Sequence, residues 1–512
     1  MTKVADSLGK LAESASVVFV GSIVGRALGL VGETAIIRAL PPSAFGEVAL
    51  AYTVVFALAN ITLLGVHDGV TRFLSAADDS VERLSILRSA LIITLVAAVI
   101  SILGLYFLRN WLAGLMGQPS LTKWIPFFLI FFILYPLARI AFGVLRGQGR
   151  TVGAVLSKKI GARVFALGLL AIATFTISSE IGAVAYWISF QFFILFFCTL
   201  LLRQRYQLRK VVGIPDSRTL NRLWSFSWPL ATSSVIFLML SNMDVLMIGY
   251  FLDSTSVGYY RSIQPLKQAT TFVVSSFSFL YLPIATEYYE SGDLGGLNEL
   301  FTVTTKWISL ATLPFVLVFT FFASDAIAAI FGAAYTPASS ALAVLIGGLF
   351  IRALSGLDGD MVRAIDRPKV ELYSAAGGLS VNFGLNIVLI TQYGLVGAAV
   401  ATVTGYAVYN GLEVIAIYRQ TGASPVGWNV LKPLFPTTLL AIVAAIILPD
   451  NLGLLALIGL GMFFTMTLPI SVFLTRSFDR TDIELVEMVE RHSGADLGTF
   501  KQGIQWQLVQ NE

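Results

Sequence analysis

Residues 241–266 read SNMDVLMIGYFLDSTSVGYYRSIQPL, and this stretch decides the kind of fold that the sequence predicts. A long apolar segment ends at Tyr250, residues 251–256 form a short polar turn, and a second apolar segment begins at Val257. An α-helix needs about 20 apolar residues to cross the hydrocarbon core of a bilayer. The stretch therefore predicts a turn between two membrane-spanning helices.

The composition of the whole chain agrees with a membrane protein. Of its 512 residues, 56% are apolar and 12% are charged, whereas about 25% of a soluble domain is charged. This composition excludes a disordered chain, a nucleic-acid-binding protein and an ordinary soluble enzyme. Because the chain has one cysteine, Cys198, and two histidines, we expect no intramolecular disulfide, no metal site and no cofactor.

Apolar segments of spanning length recur along the chain, and no signal peptide is predicted before the first of them. They predict an all-α polytopic membrane protein with fourteen transmembrane helices. The predicted spans are 16–37, 45–66, 89–107, 124–145, 155–177, 181–202, 225–250, 257–285, 301–322, 338–357, 373–392, 396–418, 433–449 and 453–475.

Lys and Arg are distributed unevenly between the two sides of the predicted membrane. The N-terminus, every second loop and the C-terminal tail hold 25 of the 34, whereas the opposite loops hold only Arg38, Arg109 and Lys123. Loops rich in Lys and Arg stay in the cytoplasm. We therefore expect a multi-pass protein of the cell membrane with both termini cytoplasmic. The opposite loops are short turns without room for an external catalytic domain.

The two halves of the chain resemble each other. Six spans in each half give both halves the same orientation, so we expect two parallel six-helix lobes related by a pseudo-two-fold axis along the membrane normal. Such lobes favour a transporter that works by alternating access. Five short matches, offset by 212 to 217 residues, carry the repeat: Phe45-Gly46 with Val257-Gly258, Leu115-Met116-Gly117 with Ile330-Phe331-Gly332, Ala138-Arg139 with Ile351-Arg352, Leu145-Arg146 with Val362-Arg363, and Ile181-Gly182-Ala183 with Val396-Gly397-Ala398.

The longest cytoplasmic connection is polar and basic and contains a proline, so we expect it to link the two lobes. The last two spans stand outside the repeat. The predicted parts are the N-lobe with spans 1–6 (1–202), the linker (203–224), the C-lobe with spans 7–12 (225–418), spans 13–14 (419–475) and a cytoplasmic tail (476–512).

Cations inside the spans are the candidate substrate ligands. A charge near the bilayer centre costs about 2.5–3.5 kcal/mol on insertion scales, so it usually faces a water-filled cavity. A positive cavity favours an anionic substrate, and Arg and Lys suit phosphate groups. The candidates on the first and eighth spans are Arg26, Arg261, Gln264, Lys267 and Gln268.

Three further arginines, Arg139, Arg163 and Arg352, lie nearer the cytoplasmic ends of their spans. They are secondary candidates, because a long side chain in this position can reach the membrane surface by snorkelling. Glu413 on the twelfth span lies in the same half of the membrane and could pair with one of them.

Glu33 and Asp244 occupy repeat-equivalent positions in the first and seventh spans. They suggest either lobe-bridging ion pairs or a site for H⁺ or Na⁺ that couples transport to an ion gradient. Glu33 shares a helix face with Arg26, which favours its ionised form. Asp244 is therefore the better coupling candidate, and the polar residues on or near its face are Ser234, Ser241 and Asn242.

Residues 244–260 resemble the start of the second lobe in polysaccharide-transport flippases of the multidrug/oligosaccharidyl-lipid/polysaccharide (MOP) exporter superfamily. An acid is followed there by Ile-Gly and a hydrophobic residue, a short turn, and then Val-Gly and an aromatic residue. The resemblance covers residues 10–475, with Asn242 standing where some relatives have Arg. Its other motifs are AIIRALPPSAFGEVALAYTV (35–54), AAIFGAAYTPASSALAVL (328–345) and residues 363–408.

The resemblance implies a flippase, not an enzyme, that carries a saccharide linked to an isoprenoid phosphate or pyrophosphate from the cytoplasmic to the outer leaflet. The cargo would serve surface polysaccharide, glycan assembly or protein glycosylation. Related peptidoglycan-precursor flippases have an Arg of the first span in a cationic cluster, and Arg26 matches that role. The expected partners are the lipid-linked saccharide, membrane lipids and glycosyltransferases or a polymerase of the same pathway, and the protein is expected to be a monomer.

Three other functions fit the sequence less well. A cation-coupled drug or metabolite antiporter of the same superfamily would favour an acidic cavity, against which Arg26 and Lys267 argue. A membrane glycan polymerase or ligase would need a long outer loop with catalytic groups. A channel does not explain the two-lobed repeat.

Overall fold

The computed structural model describes residues 2–77, 79–147, 157–203, 213–479 and 482–483, together with 498, 501, 505 and 507. This part of the chain is almost entirely helical and contains no β-strand, so the predicted all-α membrane fold is confirmed. Most of the basic linker and of the C-terminal tail lies outside the described residues.

The chain forms two compact units, Met1–Arg261 and Ser262–Glu512. The lobe boundaries at 202 and 225 stay predictions. The first unit contains α1 (Thr2–Ala39), α2 (Pro42–Thr62), α3 (Val66–Ala76), α4 (Ser80–Leu115), α5 (Ser120–Phe128), α6 (Phe131–Gly147), a π-turn (Ser157–Gly161), α7 (Ala162–Thr176), α8 (Ser179–Arg203), α9 (Ser217–Phe251) and most of α10 (Ser254–Ser262).

The second unit is also built from helices. Its elements are α11 (Gln264–Glu290), α12 (Leu294–Phe321), α13 (Ala323–Phe331), a 3₁₀ turn (Ala333–Ala338), α14 (Ser339–Leu354), α15 (Asp358–Ala364), α16 (Pro368–Thr421), α17 (Trp428–Leu431), α18 (Leu434–Ile447) and α19 (Leu454–Leu474).

Ten segments of the described part are each long and apolar enough to cross a membrane. The count of fourteen spans stays a prediction. One segment, α16, contains the predicted spans 373–392 and 396–418, and Gly394 breaks it with a φ of +57°. The ten segments are Pro42–Ala76, Ser80–Leu115, Ser120–Arg146, Lys158–Thr176, Ser179–Arg203, Leu294–Phe321, Ala333–Ala364, Pro368–Thr421, Trp428–Ile447 and Leu454–Leu474.

Helix α9 begins earlier than the sequence predicted. Its first residue is Ser217, inside the segment predicted as linker. The Asp216 carboxylate accepts a hydrogen bond from the backbone N–H of Thr219 at 3.1 Å, which is a helix N-cap. This bond lowers the pKa of Asp216, so the cap contributes at neutral pH and is lost in acid as the pH falls through that pKa.

The eighth predicted span is two helices rather than one. Helix α10 ends at Ser262 and α11 begins at Gln264, with Pro265 in its first turn. Proline has no backbone N–H to continue the hydrogen bonds of the preceding turn. The candidate ligands of the eighth predicted span are therefore divided between two helices, and Arg261 belongs to a different helix from Gln264, Lys267 and Gln268.

Apolar packing in the first unit brings α3, α4, α6 and α8 together. Val70 of α3, Ala90 of α4, Leu145 of α6 and Cys198 of α8 belong to one buried cluster, and none of them is exposed. This packing fixes α6 and α8 beside the π-turn, where the cations of the first unit collect.

Candidate functional site

Arg26, Lys159 and Arg163 meet where α1 packs against the π-turn and α7. Each carries a positive charge, and the three lie close enough for these charges to act on one another. The sequence analysis singled out Arg26 and kept Arg163 as a secondary candidate, but it did not single out Lys159. We call these three residues the Arg26 cluster.

Glycines on α1 make room for this cluster. A Cβ at Gly25 would lie 2.6 Å from the backbone oxygen of Lys159, so only glycine allows the π-turn to approach α1 this closely. A Cβ at Gly29 would occupy the place of the Arg163 guanidinium. The guanidinium also lies close enough to the Tyr186 hydroxyl to interact with it, and 5.0 Å from the centre of the Phe190 ring. Arg163 is thus directed toward α1 rather than along its own helix.

Glu33 pairs with Arg261, while it shares a face of α1 with Arg26. The Arg261 Nη2 lies 3.8 Å from Glu33 Oε2, and the Trp187 indole donates to Glu33 Oε1 at 3.1 Å. Trp187 is itself held by stacking on Tyr52 at 4.5 Å between ring centres. The side chains of Arg261 and Glu33 are 14% and 20% exposed, so this pair is largely desolvated.

Asp244 is completely buried, and its partner is a residue that the sequence analysis did not consider. The Tyr260 hydroxyl donates to Asp244 Oδ2 at 2.9 Å, while Oδ1 accepts no hydrogen bond within the described part of the chain. Asn242 instead donates to the backbone oxygen of Leu238. The predicted neighbours Ser234 and Ser241 have side chains outside the described residues.

Lys267 and Arg352 come together in the second unit. The Lys267 ammonium lies 5.5 Å and the Arg352 guanidinium 5.1 Å from the centre of the Tyr406 ring, as in cation–π contacts. Of the two predicted glutamines, Gln264 is buried and Gln268 is exposed. The spacing of residues in the sequence does not predict that Arg352 lies near Lys267, because the two are on different helices.

Arg139 and Glu413 each have neighbours within their own unit. The Arg139 guanidinium lies 5.5 Å from the Tyr135 ring in the first unit, whereas Glu413 is fully buried in the second. The neighbours of Glu413 are Tyr409 and Asp358, and neither of its oxygens accepts a hydrogen bond of normal geometry from the described residues.

The arrangement of the Arg26 cluster suits anion binding. Arg and Lys side chains donate charge-assisted hydrogen bonds to phosphate, and aromatic neighbours such as Phe190 hold a guanidinium in place. Within the described part of the chain, no three His, Cys, Asp or Glu side chains lie together as a metal site requires.

Three comparisons place the chain among known proteins. The family model for polysaccharide biosynthesis proteins matches residues 11–288. The probable low-salt glycan biosynthesis flippase Agl15 of Haloferax volcanii is 24% identical over 433 residues, which are 83% of this chain and 88% of that protein.

Solved structures share the fold at low sequence identity. The lipid II flippase MurJ, in an inward closed conformation, aligns with a TM-score of 0.71 and 14% identity over 88% of this chain and 97% of its own. An inward-facing multidrug resistance MATE family transporter of the MOP superfamily aligns with a TM-score of 0.63 and 17% identity over 78% of this chain and 94% of its own. The chain is thus a multi-pass membrane protein with the fold of this transporter superfamily.

Proposed function

Because the chain belongs to the polysaccharide biosynthesis protein family, we propose that it is a flippase for a saccharide linked to an isoprenoid phosphate or pyrophosphate. The similarity to a glycan biosynthesis flippase and the fold shared with a lipid II flippase support this function. In the proposed cycle, the protein alternates between states open to either side of the membrane and carries the anionic head group outward.

The Arg26 cluster is the observation that carries the proposal. A charge as deep in a span as that of Arg26 costs about 2.5–3.5 kcal/mol on insertion scales, and repulsion from Lys159 and Arg163 adds to this cost. A phosphate group at the cluster would offset both the cost of placing charge in the membrane and the repulsion between the cations. Glu33 is engaged by Arg261 and Trp187, so it leaves the balance of charge at the cluster positive.

Ion coupling is a further part of the proposal. Asp244 is the candidate for binding H⁺ or Na⁺, because it is completely buried and one of its oxygens lacks a hydrogen bond within the described residues. Glu33 acts through Arg261 and positions it. Lys267 and Arg352 form a second candidate contact for the anionic head group in the other unit.

The charge bias of the loops supports an orientation with the Lys- and Arg-rich loops in the cytoplasm. We propose that both termini are cytoplasmic, that the protein acts as a monomer in the cell membrane, and that glycosyltransferases of the same pathway supply its cargo.

The decisive test compares cargo with and without phosphate. Purified full-length protein in liposomes is given a fluorescent isoprenoid diphosphate N-acetylglucosamine, a matched isoprenoid glycoside without phosphate, or an amphipathic cation. We expect protein-dependent translocation of the first compound only. Movement of the amphipathic cation alone would support an antiporter and overturn the proposal, as would equal movement of the phosphate-free glycoside.

A further inference from the structure

A second group of cations lies on the other side of the π-turn from the Arg26 cluster. The charge of Lys158 acts on Arg139 and Arg146 of α6, and all three act on His67 of α3. The Lys158 ammonium lies 4.5 Å from the centre of the Phe142 ring. We call Arg139, Arg146 and Lys158 the Lys158 cluster.

A donor at this cluster is buried without an acceptor. The Arg139 Nε–H is shielded from solvent and forms no hydrogen bond with the described residues. A buried N–H without an acceptor is costly, and native proteins normally satisfy such groups with protein, water or a ligand. The position of this donor beside Lys158 and Arg146 indicates a ligand that brings negative charge and acceptor oxygens.

Carboxylates that could neutralise the cluster are scarce. Asp68 contacts His67 Nε2 at 3.5 Å, but no ion pair of Arg139, Arg146 or Lys158 occurs among the described residues. The sequence explains why: between Glu82 and Glu180 it has ten Lys and Arg and no Asp or Glu.

The internal repeat provides a comparison within the same chain. Arg139 and Arg146 correspond to Arg352 and Arg363 of the second unit. There Arg363 donates two hydrogen bonds to Glu371, at 3.0 and 2.6 Å, and a third to Asp360 at 3.2 Å. Asp358 likewise lies close enough to interact with the charge of Arg352.

Among the described residues, the same pair of arginines is thus neutralised by carboxylates of the chain in the second unit only. The equivalent helices of the second unit pack with arginines whose charge is neutralised by carboxylates. Packing of the repeat therefore does not require cations without a counter-charge. The charge of the Lys158 cluster therefore fits a role in binding an anion.

We propose that the Lys158 cluster is a docking site for the phosphate or diphosphate group of a lipid, separate from the Arg26 cluster. The two consecutive lysines of the π-turn belong to different sites: Lys158 is part of the docking site and Lys159 is part of the Arg26 cluster. π-Helical turns of this kind are frequent at functional sites. An anion bound by Lys158 can move to Lys159 without leaving positive surroundings. The assignment of cargo as its ligand rests on the proposed flippase function.

Binding measurements on the full-length protein in nanodiscs of phosphatidylcholine test the proposal. The probe is farnesyl diphosphate, and the variants are Lys158→Gln, Arg139→Gln and the charge-preserving Lys158→Arg. One lost charged hydrogen bond corresponds to a drop in affinity of about tenfold or more. We expect such a loss in the two Gln variants and near-normal affinity in Lys158→Arg. The repeat control Arg363→Gln, whose charge is held by Glu371, should bind the probe like the parent.

Two competitors identify the source of the phosphate. Competition by inorganic pyrophosphate would show that the head group alone suffices, and competition by phosphatidylglycerol in the nanodisc would assign the site to membrane lipid. Both effects should disappear in Lys158→Gln.

Unchanged affinity of folded Lys158→Gln and Arg139→Gln for all three ligands would overturn the docking site. This outcome is distinct from failure of the flippase proposal, in which the parent protein itself does not translocate the diphosphate-linked saccharide.

Discussion

Lys306 shows how a single residue can hold a distant part of the chain. It is 1% exposed, and its ammonium donates to Asp482 at 2.5 Å, Asp479 at 3.0 Å and the backbone oxygen of Ser477 at 3.1 Å. The sequence analysis did not single out Lys306. Its partners lie after the last predicted span, and no local spacing relates them to it.

Removing this buried cation should destabilise the protein. Lys306→Met leaves Asp482 buried without its counter-charge, and breaking a buried pair in this way costs about 3–5 kcal/mol. Chemical unfolding in detergent measures the loss, with the exposed Lys369→Met as a matched control that should unfold like the parent. An equal stability of the two variants would contradict the structural role of Lys306.

Asp244 is the residue at which ion coupling is tested. We expect Asp244→Asn to bind the lipid-linked saccharide normally but to transport it independently of an imposed proton or sodium gradient, because the amide has no charge to neutralise. Glu33→Gln should instead weaken binding, since it releases Arg261. Transport assays in liposomes with set gradients distinguish the two variants. If Asp244→Asn follows the gradient like the parent, coupling does not reside there.

Part of the site could be predicted from the sequence at this scale. Arg26 stood out because an arginine deep in an apolar span is costly. Lys159 did not, because a π-turn leaves no periodic signal and the residue follows a basic loop. The pairing of Glu33 with Arg261 joins positions far apart in the chain, so it depends on tertiary structure alone.

At the scale of helices, two glycines control a close crossing inside the first unit. Gly46 of α2 and Gly258 of α10 occupy equivalent positions in the repeat, and each lies against the backbone at the other. A Cβ at Gly46 would overlap the backbone oxygen of Ser254, and one at Gly258 would overlap that of Pro42. The repeat predicted that these positions correspond but not that they touch.

A methyl group at this crossing should be poorly tolerated. Gly46→Ala and Gly258→Ala force two backbones apart, and overpacking of this kind costs about 1–3 kcal/mol or more. Thermal unfolding in detergent should show lowered midpoints for both. Gly104→Ala, in open space on α4, is the control and should be neutral or slightly stabilising. Normal midpoints for Gly46→Ala and Gly258→Ala would show that the helices do not cross so closely.

The all-α membrane fold could be predicted at the scale of the whole molecule, because apolar segment length and loop charge are properties of the sequence itself. The sequence could not show that α10 and α11 are separate helices or that α9 begins at Ser217. Those features depend on Pro265 and on the Asp216 cap, and both are local details within longer apolar or polar stretches.

Topology is testable by cysteine labelling in a Cys198→Ser background. The loop charge bias predicts that Thr255→Cys reacts with a membrane-impermeant maleimide added outside intact cells. Ser217→Cys should react only after permeabilisation. The reverse pattern would place both termini outside the cell and contradict the predicted topology.

The central claim is that the Arg26 cluster binds the phosphate of the cargo, and the rate of flipping by Arg26→Ala in liposomes tests it most directly. Arg26→Lys keeps the charge, and Arg109→Ala removes a cation at the far end of α4, where it lies over the Tyr106 ring. We predict that Arg26→Ala accumulates normally and flips the diphosphate-linked saccharide at least about tenfold more slowly, the effect of losing one charged hydrogen bond. Arg26→Lys should retain much of the activity and Arg109→Ala all of it. A parental flipping rate in Arg26→Ala would contradict the claim.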